Sequence, residues 1–481
     1  LCNWMKRRMT GEDMAAICLP PTVGGALANI GAMMAGKTSV NLNFTAGKEA
    51  MKNALAQCGI KTVLTSKAFL AKAEIELVDG MVFIEDILGS VGRFERARAL
   101  CLSFILPAKA LDLLCSRTRP DGERLATIVF TTGSEGSPKG VMLTHHNILA
   151  NIEGFSQILS TGPKDVLLGV LPFFHSFGFT ATLWFPLVSG FRAVYHPNPM
   201  DAKTVGELAS GQRATILVGT PTFYSMYAKK LPEASFRTIR YAIAGAEKLK
   251  SHISQEFKKR FAVELLEGYG CTEMSPVVSV NIPDIEHDKI RQTGFKAGTV
   301  GHAIPGVAVK VVDPETWREM PYGQDGLLLV KGPSLMKGYL GDPALTASVI
   351  KDGWYSTGDV ASVGEDGFIR IVDRMARFSK VAGEMVAHFK IEETISALLG
   401  GCVCVVTSVD DEFRGERVVA LYAHTAVDAA ELRDMLLKTE LPRIWIPKRE
   451  DLIRVDSIPV TATGKVDIKR ARAIATGLAE A

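Results

Sequence analysis

The chain has 481 residues, too many for one ordinary hydrophobic core, so a multidomain protein of about three lobes is expected. With 55 Lys+Arg against 52 Asp+Glu its formal net charge is only +3, which excludes the strongly basic field of a nucleic-acid binder and leaves the composition of a globular enzyme. Its eight cysteines (2, 18, 58, 101, 115, 271, 402 and 404) show no Cys-x-x-Cys and no Cys/His ligand spacing, so they read as reduced cytosolic thiols without a zinc site.

Leu1 stands where a Met would open a full-length chain, and Trp4-Met5-Lys6-Arg7-Arg8 follows without the charged head, apolar run and cleavage site of a signal peptide, which points to a fragment or processed chain. Met14 to Leu19 reads as a buried strand stopped by Pro20, followed by a helix of small residues through Met34 and a strand and turn at Val40 to Asn43. Ile60 to Thr65 and Met81 to Ile84 repeat the pattern of short apolar strands between helices, which predicts a parallel, doubly wound sheet. No apolar run approaches the roughly 18 to 20 residues of a membrane-spanning helix. Cys101 to Cys115 is short, broken by Pro107, and carries Lys109 and Asp112; it reads as core, with a membrane-surface role as the alternative.

Past residue 131 a helix over 145 to 159 places Ile148, Leu149, Ile152, Phe155 and Leu159 on one face. Strands at Val166 to Leu171, Arg192 to Tyr195, Thr215 to Val218, Tyr241 to Ala244 and Val263 to Leu266 form a second α/β layer. Beyond Gly298, strands at Val307 to Val312, Leu327 to Val330 and Phe368 to Ile371 are joined by turns without helices, which predicts a small β subdomain. From about residue 376, helices at 389 to 399 and 428 to 439 with strands at 402 to 408 and 417 to 423 make an α+β domain. The fold class is therefore α/β: a large N-terminal domain of two doubly wound sheets plus a small β subdomain over 1 to 375, then a smaller α+β C-terminal domain over 376 to 481.

Between the strand Leu125 to Phe130 and that helix lies Thr131-Thr132-Gly133-Ser134-Glu135-Gly136-Ser137-Pro138-Lys139-Gly140. Glycines let the backbone turn its N–H groups onto phosphate oxygens, hydroxyls add donors, and Lys139 supplies charge. Lys139 is followed by Gly140, so this is not the Walker pattern, and taken alone it could be a surface loop between a strand and a helix. In its order of strand, Thr-Thr-Gly-Ser-x-Gly-Ser-Pro-Lys-Gly, then a helix capped near Thr144, it resembles the phosphate loop of the adenylate-forming superfamily of acyl-CoA synthetases, peptide-synthetase adenylation domains and luciferases. The resemblance makes Thr131, Thr132, Gly133, Ser134, Gly136 and Lys139 nucleotide ligands. Glu135 departs from the pattern, and its carboxylate is expected to point away from phosphate.

Further motifs follow in the superfamily's order. Leu171-Pro172-Phe173-Phe174-His175-Ser176-Phe177-Gly178 resembles its aromatic-His loop, which implies that His175 lies beside the carboxylate substrate; on its own it reads as a core histidine. Gly245-Ala246-Glu247 and Gly268-Tyr269-Gly270-Cys271-Thr272-Glu273 stand at strand ends, where small residues leave a slot for a purine, Tyr269 can stack on it, and Glu273 offers Mg²⁺ a hard oxygen. Gly-Tyr-Gly by itself is an ordinary turn, as is Thr-Gly-Asp. The match to Tyr-Gly-x-Thr-Glu carries nucleotide contacts to Gly245, Ala246, Glu247, Gly268, Tyr269, Gly270 and Thr272 and the metal to Glu273. Trp354-Tyr355-Ser356-Thr357-Gly358-Asp359 and Asp373-Arg374 resemble the segments whose Asp and Arg hold the ribose, which implies those roles for Asp359 and Arg374. The hinge falls at 376 or 377, where Ala376 and Arg377 replace the superfamily's usual Lys and acidic or polar residue. Lys380 matches the lysine of the second half-reaction. Lys465, closing Pro459-Val460-Thr461-Ala462-Thr463-Gly464-Lys465, matches the catalytic lysine that a mobile C-terminal domain brings to the carboxylate and α-phosphate.

Finer matches at Asn43 to Gly47, 132 to 140, Ala244 to Leu249 and Arg377 to Val386 look like the acyl-acyl-carrier-protein synthetase part of bifunctional 2-acylglycerophosphoethanolamine acyltransferases. The expected reaction is ATP- and Mg²⁺-dependent activation of a fatty acid, with Phe173, Phe174, Phe177, Phe179 and Trp184 as acyl lining or core. Transfer follows to a pantetheine thiol, that of acyl carrier protein first and coenzyme A as the alternative. The resemblance further implies a fused or partner acyltransferase in phospholipid metabolism and a cytoplasmic location, with peripheral attachment to the inner face of a bacterial membrane open. A non-catalytic module binding acyl chain and nucleotide is the reading from another class; intact Lys139, Glu273, Asp359 and Lys465 argue against it.

Overall fold

The computed structural model describes residues 1–107, 109–111, 121–131, 138–287, 290–411, 413–424, 426–459 and 466–478. Leu1–Val309, Leu329–Tyr355 and Gly364–Arg370 make one compact unit; Lys310–Leu328, Ser356–Val363 and Ile371–Ala481 make the second.

In the first unit, short apolar runs separated by helices build a sheet from β1 (Met14–Ile17), β2 (Thr38–Asn41), β3 (Val63–Thr65), β4 (Met81–Phe83), β5 (Leu125–Thr131) and β6 (Lys139–Thr144). Strands β1 to β5 run parallel in the order β5-β2-β1-β3-β4. Ala15, Ala16 and Ile17 of the central strand are fully covered on both faces, which is why that run is continuously apolar instead of alternating. Strand β6 returns antiparallel to β5, with Thr131 opposite Lys139 and Phe130 opposite Gly140, and a two-residue strand at Gly338–Tyr339 closes the edge beyond it. The glycine-rich stretch therefore joins two strands of a hairpin, where the sequence predicted a strand followed directly by a helix. The helix starts only at His145, capped as expected by Thr144, whose hydroxyl accepts from the Asn147 N–H while the Asn147 side chain accepts from the Thr144 N–H. It ends at Ser156, and Leu149, expected on the packed face, is 48% exposed.

The second sheet holds β7 (Val166–Gly169), β8 (Arg192–Tyr195), β9 (Ile216–Gly219), β10 (Tyr241–Ala244), β11 (Leu265–Gly270) and the antiparallel β12 (Val277–Val280), in the order β12-β11-β10-β9-β7-β8. After β8 the chain crosses back to the other side of β7, so the connections diverge between β7 and β9. Loops at the carboxyl ends there are where doubly wound sheets hold ligands. Tyr224, Tyr227, Phe236 and Phe257 fill the core beneath.

Next come the hairpin β13 (Ile285–His287) and β14 (Ile290–Gln292), and β15 (His302–Ala303), which pairs β12. A five-stranded sheet contains β16 (Ala308–Val312), β17 (Gly326–Lys331), β19 (Ile350–Lys351), β20 (Trp354–Val363) and β21 (Ile369–Arg374); β18 is the edge strand Gly338–Tyr339. The β region expected beyond Gly298 is thus present, with Lys310–Leu328 and Ser356–Val363 belonging to the second unit. That unit's C-terminal sheet comprises β22 (Phe378–Val381), β23 (Glu384–Ala387), β24 (Cys404–Asp411), β25 (Gly415–Tyr422) and β26 (Leu452–Arg454), covered by helices His388–Leu398, Ala429–Leu436 and Ile468–Ala475. Cys402 precedes β24 and does not alternate with Cys404 along it.

The helix Arg93–Ile105 buries none of its residues, and Phe94 and Phe104 are 84% and 83% exposed. Cys101 to Leu106 is consequently not core, contrary to the first expectation; most of 108 to 115 lies outside the described residues. Among the described residues no helix is long and apolar enough to cross a membrane.

Candidate active site

Three loops at the carboxyl ends of the second sheet meet through short contacts. The loop after β7 puts His175 at the surface, its ring 4.8 Å from that of Phe174, while the next residue, Ser176, is buried with its hydroxyl 3.1 Å from that of Thr272. The His motif and the Tyr-Gly-x-Thr-Glu motif, 96 residues apart in sequence, are thereby joined by two hydroxyls. After β10, Gly245 lies under the ring of Phe177: a Cβ there would stand 3.0 Å from that ring, so glycine is needed for the approach. Ala246 adopts φ +67°, and the Glu247 carboxylate accepts from both the N–H and, at 2.6 Å, the hydroxyl of Thr222. Phe173, Phe174 and Phe179 are buried, with Phe173 against Tyr195 and Phe174 against Phe44.

The sequence ended the strand at Leu266, before Gly268, Tyr269 and Gly270; they are its last three residues. β11 continues antiparallel to β12 with a register shift at Tyr269/Gly270. A Cβ on Gly270 would stand 2.2 Å from the Pro276 carbonyl oxygen, so that glycine serves the close return of its own chain. Two residues before Tyr269, Glu267 is buried; burial pushes its carboxyl up to about 7, although Leu249 N–H donates to it at 3.0 Å. Nothing in its spacing distinguished this group.

Glu273 sits on the short helical turn Thr272–Met274. The Met336 N–H donates to its carbonyl at 2.7 Å and the Tyr339 hydroxyl to its Oε1 at 2.7 Å. The Tyr355 hydroxyl lies beside that of Tyr339. Burial above all holds both phenols far above their ordinary range, helped by the Glu273 charge at Tyr339 and by Cys271 and then Glu273 at Tyr355, so both stay protonated. The Lys139 ammonium lies over the Tyr339 ring, 5.7 Å from its centre. Neither tyrosine was singled out from the sequence, because their meaning depends on pairings 66 residues and more away. Thr131 and Lys139 face each other across the mouth of the hairpin; Thr132, Gly133, Ser134 and Gly136 lie outside the described residues, as does Glu135. Because β6 intervenes, no helix N-terminus opens directly from this loop. Among the described residues no three His, Cys, Asp or Glu side chains cluster to hold a metal. One half-buried carboxylate with a neutral donor on one oxygen fits a Mg²⁺ ion that takes its remaining ligands from phosphates and water.

In the second unit, Asp359 lies in β20 beside Gly358 at φ +72°, so Thr-Gly-Asp is a kinked strand and not a turn. Asp359 is buried, and the Arg374 guanidinium stands 3.4 Å from its Oδ1, which brings the two expected ribose ligands together. Arg377 pairs with Glu392 at 2.5 Å and Asp373 at 3.8 Å. The exposed Lys380 on β22 pairs with Glu315 at 2.6 Å, just before the hairpin turn Ala382-Gly383, where both residues have positive φ. Buried His388 bonds Ser379 through Nε2; burial, then the Arg377 charge, lowers it to about 3. Lys465 lies outside the described residues. Beyond it, Asp467 donates its N–H to the Pro459 carbonyl at 2.8 Å and caps the helix Ile468–Ala475.

The sequence pattern of the AMP-binding enzyme family matches residues 2–340. A long-chain-fatty-acid–CoA ligase of Bacillus subtilis (strain 168) is 27% identical, covering 97% of this chain and 85% of its own. A medium-chain fatty-acid–CoA ligase of Escherichia coli (strain K12) is also 27% identical, over 97% and 82%. Among solved structures, ATP-bound MatB from Rhodopseudomonas palustris matches with a TM-score of 0.80 at 26% identity, covering 99% of this chain and 92% of that one. The o-succinylbenzoate CoA synthetase of Bacillus subtilis, in complex with ATP and magnesium, shares the fold at a TM-score of 0.78 and 20% identity, over 97% and 92%. With its motifs in order on this fold, the chain belongs to the AMP-binding enzyme family, within the adenylate-forming superfamily.

Proposed function

We propose that the protein joins a fatty acid to coenzyme A through an acyl adenylate formed from ATP. It is an AMP-forming acid–thiol ligase. A carboxylate is a poor acyl donor because oxide would have to leave. A carboxylate oxygen therefore attacks the α-phosphorus, the bond to the β-phosphate breaks and pyrophosphate departs. The thiol sulfur then attacks the acyl carbon, AMP leaves and the thiol proton passes to solvent. Thr131, Lys139 and the loop residues 132–136 would grip the departing phosphates, with Glu273 as the protein's ligand to Mg²⁺, which supplies neutralising charge when bound. Gly245 to Glu247 and Gly268 to Thr272 would take the base, Asp359 and Arg374 the ribose, and His175 the carboxylate's surroundings. Lys465 would offset the charge between carboxylate and α-phosphate. Lys380 serves the thiol step and must first leave Glu315. The observation that supports the reading is the bond between Tyr339 and Glu273 beside Lys139, since it keeps an acidic group that could take Mg²⁺ close to a cation that could take phosphate.

Coenzyme A is favoured over the carrier protein expected from the finer motifs because the relatives found are named as CoA ligases. A carrier-protein acceptor and a partner acyltransferase rest on those motif matches alone. A matrix of fatty acids against coenzyme A and holo-carrier protein, read by pyrophosphate release and thioester formation, tests the acceptor. Thioester with coenzyme A is expected; thioester with carrier protein only would replace the acceptor, and ATP binding without turnover on any acid would favour the non-catalytic module. Attachment to a membrane surface finds support in the exposed Phe94, Leu100, Phe104 and Ile105 among Arg93, Arg96 and Arg98 of one helix, and sedimentation with anionic vesicles would test it.

A further inference from the structure

We infer that Tyr339 is a positioning residue that registers the metal carboxylate Glu273 against the phosphate loop, with Tyr355 steadying it from behind; this rests on the proposed adenylation reaction. Glu273 rides on a turn at the end of the second sheet, whereas Lys139 opens strand β6 of the first. Glu273 would hold a Mg²⁺ ion that supplies neutralising charge to phosphates taken by Lys139, which needs the two side chains at a fixed separation, and flexible turns do not supply one by themselves.

The segment Met336 to Leu340 joins both. Toward the phosphate loop, Lys337 N–H donates to the Met142 carbonyl at 3.0 Å and Leu340 N–H to the Gly140 carbonyl at 2.8 Å, which fixes the segment to the strand leaving the loop. Toward the turn, Met336 N–H holds the Glu273 backbone and the Tyr339 hydroxyl holds its side chain. The same phenol ring takes the Lys139 ammonium on its face. One side chain therefore contacts both the Glu273 carboxylate and the Lys139 ammonium.

The tyrosine is itself held. Its N–H donates to the Thr346 hydroxyl at 2.9 Å, and Gly338 before it has φ +145° with no room for a Cβ, which would stand 2.9 Å from Thr346. Because a phenol is a neutral donor, it orients the Glu273 carboxylate without cancelling its charge. A cation in the same place would bind the carboxylate but compete with Mg²⁺.

Tyr339→Phe keeps the ring and removes only the hydroxyl. In the full chain, the Mg²⁺ concentration for half-maximal ATP–pyrophosphate exchange is expected to rise about tenfold or more. Mn²⁺ binding in the presence of ATP, followed by electron paramagnetic resonance without acid substrate, is expected to weaken by a similar factor, while ATP affinity in EDTA stays unchanged. Mn²⁺ affinity equal to wild type would overturn the inference while leaving the adenylation reading standing; so would equal weakening of ATP with and without metal, which marks a merely structural tyrosine. If wild type itself binds no Mn²⁺ with ATP, both fall. Should Tyr339→Phe not fold, Tyr355→Phe, which withdraws the supporting hydroxyl alone, is expected to weaken Mn²⁺ binding severalfold in the same assay, and wild-type affinity there would overturn the proposal.

Discussion

The Glu273 turn and the Lys380 hairpin are both short motifs assigned roles in one reaction, yet they are built in opposite ways. Glu273 is fixed by a backbone bond, a phenol and a chain reversal so close that Gly270 admits no side chain. Lys380 projects from an exposed strand and makes a surface ion pair with Glu315, the kind of contact that water and salt weaken. Groups that hold the nucleotide's phosphates and metal gain from being fixed before the ligand arrives, because no reorganisation is then needed during reaction. A group with a part in only one of two steps must be able to let go, and a weak exposed pair permits that.

The largest expected effect is at Lys465, the other lysine to which the proposed reaction gives a single step. Lys465→Ala should lower ATP–pyrophosphate exchange by about 10²–10³ while sparing thiol transfer from a supplied acyl adenylate. Unchanged exchange would remove Lys465 from the first step. From the packed side, Gly270→Ala forces a Cβ to within 2.2 Å of the Pro276 oxygen and should cost about 3 kcal/mol of stability in denaturant melts along with ATP affinity. Wild-type stability there would mean that the return of the chain is soft.

The smallest effect sharpens the same contrast by pH. His388 has its folded pKa lowered to about 3 against an ordinary value of 6.5. Its contribution is therefore complete above about pH 6.5 and is lost as pH falls through the interval toward 3, by at most roughly 1.4 kcal/mol per pH unit. Hydrogen exchange on β22 should show that loss between about pH 6 and 4, and His388→Gln should flatten it; an unaltered slope would place the acid sensitivity elsewhere.

Much of this was legible from residues that act locally. Thr144 announced the helix that it caps, and the strand Tyr241 to Ala244 was bounded by its own apolar run and the glycine after it. Of the site, the motif residues were legible, because glycine, hydroxyl and acidic residues at strand ends carry their chemistry in their spacing. Strand β6 was not: Lys-Gly-Val-Met-Leu-Thr is strand only because β5 and β18 flank it. Tyr339 was missed for the same reason. Its partners lie 66 and 200 residues away at Glu273 and Lys139, and a tyrosine in an apolar stretch announces nothing but burial. Gly270 was read as making room for a base; its bare backbone also makes room for the return of its own chain.

The two-residue strand β18 has a consequence of a different kind. It occupies the outer edge of the first sheet, and without it the hydrogen-bonding row of Lys139 to Thr144 would stand open to strands of other molecules. An edge only two residues long is a poor template for such pairing. Any change that peels Gly338 and Tyr339 away thus does more than disturb a carboxylate: it uncovers a six-residue strand, and the protein's solubility becomes tied to the same few atoms as its chemistry.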